Sequence, residues 1–221
     1  MEHLITLIDH CDDTAVIVAP EVCLSGYDYE NFEAAAAFTP HAITRLLKHL
    51  GHRILVLTVI EKNSKGIYNV AKVLHGGAEV YQQPKARLFT FGDEHHYFQA
   101  GKAQDIVVFE VEGIRMGILI CFEIRFKTLW QQLEGADIIA IPARWGKARA
   151  QNFRSLTNAL AIMNQCYVVA SDAANEEFSD ESGIITPFGK EIRNTAKEIA
   201  TLPYEPHEVI KMRRYMQVGI S

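Results

Sequence analysis

The sequence has no apolar run long enough to cross a lipid bilayer as a helix, so we expect no membrane association. Its first residues, MEHLITLIDH, carry an early acid and no basic segment ahead of an apolar core, so we expect no signal peptide and a cytoplasmic protein. It also lacks an excess of positive charge: the formal net charge is -5. A nucleic-acid binder usually carries a basic face, so we expect no nucleic-acid partner.

Nothing in the chain resembles a linker, a low-complexity tract or an internal repeat. We therefore expect a single domain over residues 1–221, long enough to bury a sizeable core. C-x-x-C spacing is also absent, which predicts reduced thiols rather than a disulfide framework. Each cysteine is by default a small buried hydrophobe. The four are Cys11, Cys23, Cys121 and Cys166.

Short apolar runs alternate with amphipathic segments along the chain. Runs rich in β-branched residues predict buried strands, and runs on either side of HGG, EG and PFG predict hairpins. The predicted buried strands cover 14–21, 53–60, 136–143 and 166–172, and the predicted hairpins pair 67–74 with 78–83, 105–111 with 114–121, and the two halves of 183–192.

Three helices are predicted downstream of residue 38. The first begins with Thr39 as its cap and Pro40 in its first turn, and it ends at Gly51. The second spans Ile124–Leu133 and the third Ala150–Asn164. Mixed strand–helix units and hairpins indicate α/β or α+β, and periodicity alone leaves that choice open.

Three polar residues follow predicted strands, where a rigid scaffold can present reactive groups to solvent. They are Glu21, Lys85 and Cys121. Taken singly, each has an ordinary interpretation: a solvated turn acid, a surface cation and an inert buried thiol. Together they form a chemically complete set.

A free thiol has a pKa of about 8.5, so a nucleophilic cysteine needs a base or a cation nearby. A carboxylate such as Glu21 can accept that proton and later activate water. An ammonium such as Lys85 can stabilise a developing oxyanion, and the backbone N–H of Phe122, just past the thiol, is a natural second donor. The set therefore predicts nucleophilic catalysis by Cys121.

Around these residues the sequence resembles the nitrilase, or carbon–nitrogen hydrolase, superfamily. The matching segments are VAPEVCLSGY around Glu21, YQQPKARLF around Lys85 and GILICFEIRF around Cys121. YNVAKVL, ADIIAIPARW, NALAIMNQCYVVASD and SGIITPFGK also match in order and spacing. Several motifs in the same order are far more specific than any one of them.

The resemblance implies a Glu21–Lys85–Cys121 triad and a second, supporting glutamate. Glu94 is the best match for that glutamate, with Asp93 as its local rival. The resemblance also implies a four-layer α-β-β-α sandwich, a homodimer or higher homo-oligomer, and no cofactor. The implied reaction is hydrolysis of a small linear amide or N-carbamoyl compound through a thioester, which releases ammonia or an amine.

Substrate-contacting residues are harder to predict. Tyr27 and Trp145 offer apolar walls and Arg144 offers a charge for a substrate carboxylate, although Trp145 is equally consistent with a half-buried aromatic. Arg125 can pair with Glu123, support another acid near the site or lie on the surface. The adjacent histidines of DEHH (93–96) point in different directions, so we expect no metal site there.

The family pattern begins with a strand and a helix before the glutamate-bearing strand. Here MEHLITLIDHCDD corresponds to the tail of that helix, so the first strand and part of the first helix, roughly 20 residues, are expected to be missing. That departure keeps a second interpretation open: a catalytically weak or inactive relative that acts in binding or assembly.

Overall fold

The computed structural model describes residues 1–193 and 198–220. The chain divides into two compact units, Met1–Asp105 and the part that follows from Ile106. Each unit contains one sheet: a four-stranded sheet in the first and a six-stranded sheet in the second. Along the described chain, no helix is both long enough and apolar enough to cross a membrane.

In the first unit the strands lie in the order β1-β2-β3-β4, with β1 parallel to β2 and the other pairs antiparallel. Leucines and isoleucines of the first two helices pack on one face of β2 and form a core there. The elements are α1 (Glu2–Asp9), β1 (Val16–Val18), α2 (Phe32–Leu50), β2 (Ile54–Asn63), β3 (Gly66–His75), β4 (Ala78–Pro84) and α3 (Glu94–Tyr97).

Strand β1 is shorter and less buried than the expected buried strand over 14–21. It is an edge strand of three residues, all half-buried. Its pairing with β2 continues only to Ala19, whose N–H donates to the Val56 carbonyl at 2.9 Å. Pro20 follows and has no N–H for the ladder, so the chain leaves the sheet just before Glu21.

The expectation that α2 begins at Thr39 and Pro40 is wrong. The helix begins at Phe32, and Pro40 lies inside it. The alanines that precede Pro40 are the strongest helix formers, and their preference for helix outweighs the loss of the one backbone hydrogen bond that proline cannot donate. Thr39 does not cap the helix; its hydroxyl donates to the Ile60 carbonyl of β2 at 2.7 Å. The predicted end at Gly51 is confirmed, with φ of 56°.

In the second unit the strand order is β10-β9-β8-β7-β6-β5. Strands β6, β7 and β8 are parallel, and the flanking pairs are antiparallel. The carboxyl ends of the three parallel strands therefore meet at one edge of this sheet. The elements are β5 (Phe109–Val111), β6 (Ile114–Ile118), α4 (Lys127–Gln132), β7 (Ile138–Ala143), α5 (Ala150–Asn164), β8 (Tyr167–Asp172), β9 (Gly183–Ile185), β10 (Glu191–Arg193) and α6 (Pro206–Tyr215).

The three predicted hairpins and the helix over Ala150–Asn164 are confirmed. The helix predicted over Ile124–Leu133 is wrong at its start. A 3-10 segment, Cys121–Arg125, comes first, and α4 begins only at Lys127. The Glu123 carboxylate explains the tighter turn. It accepts the Ile120 N–H at 2.7 Å, and this side-chain hydrogen bond fixes the backbone at the start of the 3-10 segment.

Candidate active site

The first unit buries a lysine between two glutamates. Lys85 Nζ lies 2.8 Å from Glu21 Oε1 and 2.7 Å from Glu94 Oε1. The exposed fractions of these side chains are 0% for Lys85, 1% for Glu21 and 6% for Glu94. Buried charges persist in proteins when they are paired and hydrogen-bonded, and this cluster meets both conditions.

Each member of the cluster lies at the boundary of a regular element. Glu21 follows the proline that ends the β1 pairing, and Lys85 follows β4. The Lys85 segment is held on both sides, because its N–H donates to the Asn69 carbonyl and its carbonyl accepts the Gly101 N–H, each at 2.8 Å. Glu94 begins α3 directly after Asp93, whose φ of 60° turns the chain.

Two further side chains bind the Glu21 carboxylate. The Tyr27 hydroxyl donates to Glu21 Oε1 at 2.7 Å, and Asn69 Nδ2 donates to the same oxygen at 2.8 Å. The Tyr27 hydroxyl oxygen also lies 3.1 Å from Glu94 Oε1. Three donors, counting Lys85, therefore converge on one oxygen of Glu21.

The backbone beside Glu21 is strained. Val22 has a φ of 41°, a region that β-branched residues rarely occupy. Its N–H donates to the hydroxyl oxygen of Thr58 on β2 at 2.6 Å. Strain of this kind costs of order 1–3 kcal/mol and persists only where the surroundings hold it, and it is common at functional sites.

Burial raises the pKa of Glu94 above its ordinary value. The positive charge of Lys85 opposes that rise, and the negative charge of Glu21 adds to it. The Phe89 N–H, which donates to Glu94 Oε2 at 2.9 Å, also favours the charged form. The two carboxylates therefore have different environments although they share one cation, and such pairs can take different proton-transfer roles.

In the second unit Cys121 lies at the carboxyl-terminal edge of the sheet, just beyond β6. Its φ is 48°, so the nucleophile candidate occupies a strained backbone position at a strand-to-turn junction. The residue is 8% exposed. Phe122 follows within the same 3-10 segment, and its N–H belongs to the peptide bond that directly follows Cys121.

Asp172 organises the same edge of the sheet at the end of β8. Its carboxylate accepts the Trp145 N–H at 2.6 Å and the Ser179 N–H at 2.9 Å. Burial raises the pKa of Asp172, and these hydrogen bonds oppose the rise. The carboxylate thus fixes the loop after β7 against the loop after β8.

Trp145 is more buried than the half-buried aromatic considered from the sequence, with 4% of its surface exposed. Its indole N–H donates to the Arg149 carbonyl at 2.8 Å. The Arg125 guanidinium lies 5.0 Å from the Trp145 ring, and its Nη2 donates to Asn152 Oδ1 at 3.1 Å. Arg144 covers the Phe178 ring at 4.6 Å.

None of the four cysteines in the described chain forms a disulfide. Burial raises the pKa of Cys166 to about 12 and that of Cys11 above its ordinary value, so both thiols are poor nucleophiles near neutral pH. Within residues 1–193 and 198–220, no three or more His, Cys, Asp or Glu side chains are grouped to hold a metal ion.

The structure brings four of the predicted residues together in the first unit: Glu21, Tyr27, Lys85 and Glu94. The Lys85 ammonium binds Glu94, the better match of the two acids weighed from the sequence. Cys121, Phe122, Arg144 and Trp145 lie in the second unit. The prediction omitted Asn69, Thr58 and Asp172. The signal for the first two was a polar residue inside an apolar strand, which needs a buried partner.

Comparison with known proteins identifies the family. Residues 1–203 match the model of the carbon–nitrogen hydrolase family. The 2-oxoglutaramate amidase of Bacillus subtilis (strain 168) is 31% identical over 195 residues, which cover 83% of this chain and 74% of that protein. An omega-amidase of Escherichia coli (strain K12) is 28% identical over 210 residues, covering 91% of this chain and 80% of that protein.

Solved structures agree in fold. A CN-hydrolase superfamily protein of Xanthomonas campestris superposes with a TM-score of 0.85 at 23% identity, covering 98% of this chain and 88% of that one. A branch 10 member of the nitrilase superfamily from Saccharomyces cerevisiae gives 0.83 at 20% identity, covering 99% and 86%. The mixed α/β fold of the nitrilase superfamily, expected from the sequence, is confirmed. The chain belongs to the carbon–nitrogen hydrolase family and is an amidase-type hydrolase of non-peptide C–N bonds.

Proposed function

We propose that this chain is a cysteine-dependent amidase that hydrolyses a small linear ω-amide through a thioester, with Glu21, Lys85 and Cys121 as its catalytic triad. The observation that carries the proposal is the buried Lys85 ammonium held between Glu21 and Glu94. A fully buried lysine with two carboxylate partners is a costly arrangement for structure alone, and clusters of this kind are frequent at catalytic sites.

In the first step Glu21 takes the proton from the Cys121 thiol, and the thiolate forms a bond to the amide carbonyl carbon. All three donors on Glu21 bind Oε1, so we assign proton transfer to Oε2. The carbonyl oxygen gains negative charge, which the Lys85 ammonium and the Phe122 N–H stabilise. Glu94 holds Lys85 in place.

The tetrahedral intermediate then collapses. The C–N bond breaks, the proton on Glu21 passes to the leaving nitrogen, and ammonia departs. Glu21 next removes a proton from water, whose oxygen attacks the thioester carbon. The C–S bond breaks, the carboxylic acid leaves, and the Cys121 thiol recovers its proton.

The names of the relatives support an ω-amide of a dicarboxylic acid as the substrate class, because the matched proteins include a 2-oxoglutaramate amidase and an omega-amidase. Such a substrate carries a free carboxylate that an arginine can bind at two points. Arg144 and Arg125 are the candidates, and each guanidinium already lies over an aromatic ring. N-carbamoyl acids are the second candidate class, because they share that carboxylate.

The test is ammonia release from succinate monoamide, glutarate monoamide, 2-oxoglutaramate, N-carbamoyl-β-alanine, a short aliphatic amide and a nitrile. It is run on the wild-type chain, on Cys121→Ala and on the matched control Cys166→Ala, whose thiol is buried and protonated. We expect turnover of an ω-amide that Cys121→Ala abolishes and Cys166→Ala retains. Turnover of only the nitrile or only the carbamoyl acid would contradict the ω-amide as the substrate and assign that compound's class instead.

Thiol labelling gives a second measurement that needs no substrate. Iodoacetamide followed by peptide mass spectrometry should modify Cys121 faster than the other three cysteines, and Glu21→Gln should slow it. Equal reactivity of all four thiols, together with no turnover of any compound, would favour the alternative of an inactive binding or assembly protein.

We further propose that residues 1–221 act as one catalytic domain of a cytoplasmic homodimer. Ile162 and Met163 on α5 and Phe188 in the β9–β10 turn are exposed apolar side chains on the second unit, which supports a partner surface there. Sedimentation velocity should show a dimer for the wild-type chain and a monomer for Met163→Glu. A monomeric wild-type chain would contradict this assembly.

A further inference from the structure

The Tyr27 hydroxyl lies between the two carboxylates that share Lys85. Its oxygen is 2.7 Å from Glu21 Oε1 and 3.1 Å from Glu94 Oε1. A phenolic hydroxyl has one hydrogen, so it cannot donate fully to both oxygens at once. The shorter distance assigns that hydrogen to Glu21 in this state. Rotation of the hydroxyl about the phenolic C–O bond would redirect the hydrogen to Glu94.

Asn69 restricts where that hydrogen can point. Its Nδ2 lies 3.2 Å from the Tyr27 hydroxyl oxygen and 2.8 Å from Glu21 Oε1. These two oxygens are 2.7 Å apart and so lie on the same side of Nδ2. The two N–H bonds of an amide diverge too widely to reach both, so one N–H of Asn69 is shared between them. With Asn69 donating to it, the Tyr27 oxygen acts as an acceptor on that side, and its own hydrogen is left for the carboxylates.

The oxygen of the Asn69 amide indicates that this residue is present for its N–H donor. Asn69 is 1% exposed, and its Oδ1 has no hydrogen-bond partner among the described residues. A buried acceptor without a partner is costly, and an apolar side chain would avoid that cost. The cost is offset if the Nδ2 donor is needed where it lies, between Tyr27 and Glu21.

The aromatic ring of Tyr27 is held independently of its hydroxyl. It makes edge contacts with Tyr29 and Phe98, with ring centroids 5.9 Å apart in both cases. The hydroxyl can therefore change its partner without any movement of the ring, and Tyr27→Phe can remove the hydroxyl while the packing stays.

We infer that Tyr27 is a positioning residue whose single hydroxyl hydrogen switches between Glu21 and Glu94, with Asn69 fixing its direction. The inference rests on the proposed function, in which Glu21 is the base. While Glu21 is ionised, Tyr27 stabilises its charge. When Glu21 has taken the Cys121 proton, its Oε1 is a weaker acceptor, and the Tyr27 hydrogen turns to the Glu94 carboxylate. No proton leaves Tyr27, so the step changes only a hydrogen bond.

The direct test compares the NMR signals of the glutamate carboxyl carbons at neutral pH, in protein carrying ¹³C at the glutamate side-chain carboxyl carbon. Glu21→Gln and Glu94→Gln identify the two signals. The groups that face Glu21 within this unit are Lys85, Glu94 and Tyr27. The ¹³C shift of a carboxylate depends on the hydrogen bonds that it accepts, so Tyr27→Phe should move the Glu21 signal.

The matched control is Tyr29→Phe. It removes a hydroxyl from the same aromatic cluster, but that hydroxyl donates to the Gly92 carbonyl at 2.7 Å and does not bind Glu21. We expect the Glu21 signal to stay in place in the control. In Tyr27→Phe kcat should fall about tenfold, because both carboxylates of the pair lose a hydrogen-bond donor, whereas Tyr29→Phe should leave kcat closer to that of the wild type.

The outcomes separate the two claims. A Glu21 carboxyl signal that does not move in Tyr27→Phe, or that moves equally in Tyr29→Phe, overturns the inference whatever the activity. A signal that moves as expected supports the hydrogen-bond role even in a chain whose ammonia release persists in Cys121→Ala, a result that would refute the proposed function alone. A moved signal with an unchanged kcat refutes the role of the switch in turnover.

Discussion

The backbone N–H of Val22 donates to the hydroxyl oxygen of Thr58 at 2.6 Å. Both residues are fully buried, and Val22 is the residue directly after Glu21. Because Val22 has the positive φ of 41°, the hydrogen bond holds a strained backbone position directly after Glu21. A hydroxyl inside an otherwise apolar strand therefore supports the backbone beside a carboxylate that it does not touch.

Replacement of Thr58 tests that role. Thr58→Val keeps the shape but leaves the buried Val22 N–H without its acceptor, so we expect the free energy of unfolding to fall by about 1–3 kcal/mol. Activity per folded molecule should fall as well, because the backbone beside Glu21 loses the hydrogen bond that holds it. Thr58→Ser retains the hydroxyl and should retain most of the activity. Equal activity of the valine and serine variants would contradict the role, and denaturant titration alongside the assay measures both effects.

Lys85→Met should destabilise the protein in a pH-dependent manner. It leaves Glu21 and Glu94 buried without their cation, and removal of one partner from a buried ion pair costs about 3–5 kcal/mol. Loss of the Lys85 charge leaves the two carboxylates to repel each other, which raises the pKa of Glu94 further. The folded state then binds more protons than the unfolded state above pH 4.5. The free energy of unfolding must then fall as pH rises. We expect a larger deficit against wild type at pH 8 than at pH 5.

Lys72→Met is the matched control for that substitution. Lys72 also binds two glutamates, Glu61 and Glu79, but their side chains are 36% and 32% exposed. Water can solvate both carboxylates after the lysine is lost, so we expect a smaller deficit and a flatter dependence on pH. Denaturant titrations at the two pH values measure both variants, and the same slope in each would contradict the argument.

The sequence predicted the elements whose signals are local. Apolar runs predicted β2, β7 and β8, and the turn residues predicted all three hairpins, because burial and turn geometry are encoded in a few neighbouring residues. It failed at Pro40, where packing and strong helix formers outweighed one missing hydrogen bond. It also failed after Cys121, where the Glu123 side chain closes a tight turn that periodicity does not reveal.

The site shows the same division. Glu21, Lys85 and Glu94 were found through their place in motifs, and the structure brings these three together. Asn69 and Thr58 were missed because their importance lies in partners 48 and 36 positions away in the chain. A polar residue in an apolar strand predicts that some partner exists, but only the strand register shows which one it is.

Gly101→Ala should disturb the Lys85 segment through the backbone. A Cβ at position 101 would lie 2.5 Å from the Pro84 carbonyl oxygen, a contact that a real Cβ cannot make without a shift of backbone. Because the Gly101 N–H donates to the Lys85 carbonyl, that shift would reach the lysine. We expect a loss of about 1–3 kcal/mol in the free energy of unfolding and a lower kcat.

Gly76→Ala separates this clash from backbone strain. Gly76 has a φ of 57° and no atom within 4 Å of the position of a Cβ, so alanine there adds strain without a clash. We expect a loss of about 1 kcal/mol and an unchanged kcat. A Gly101→Ala variant that behaves like Gly76→Ala in both measurements would show that Pro84 and Lys85 tolerate the shift.

Asp172→Asn should loosen the loop that carries Trp145. The carboxylate accepts hydrogen bonds from the Trp145 and Ser179 N–H groups, whereas an asparagine would turn an NH₂ donor toward one of them. A buried N–H that faces another donor has lost its hydrogen bond and is still shielded from water. We therefore expect the free energy of unfolding to fall by about 1–3 kcal/mol. Asp180→Asn, at an exposed position with a φ of 56° that asparagine tolerates, should change it by less than about 0.5 kcal/mol.

The fluorescence of Trp145 reports on the loop directly. In a Trp130→Phe background it is the remaining tryptophan, since the chain has two. Release of the buried indole into water should shift its emission to longer wavelength in Asp172→Asn and leave it in place in Asp180→Asn. If the emission stays unshifted while stability falls, the loop is held by the Trp145–Phe153 ring contact, with centroids 5.3 Å apart, rather than by the carboxylate.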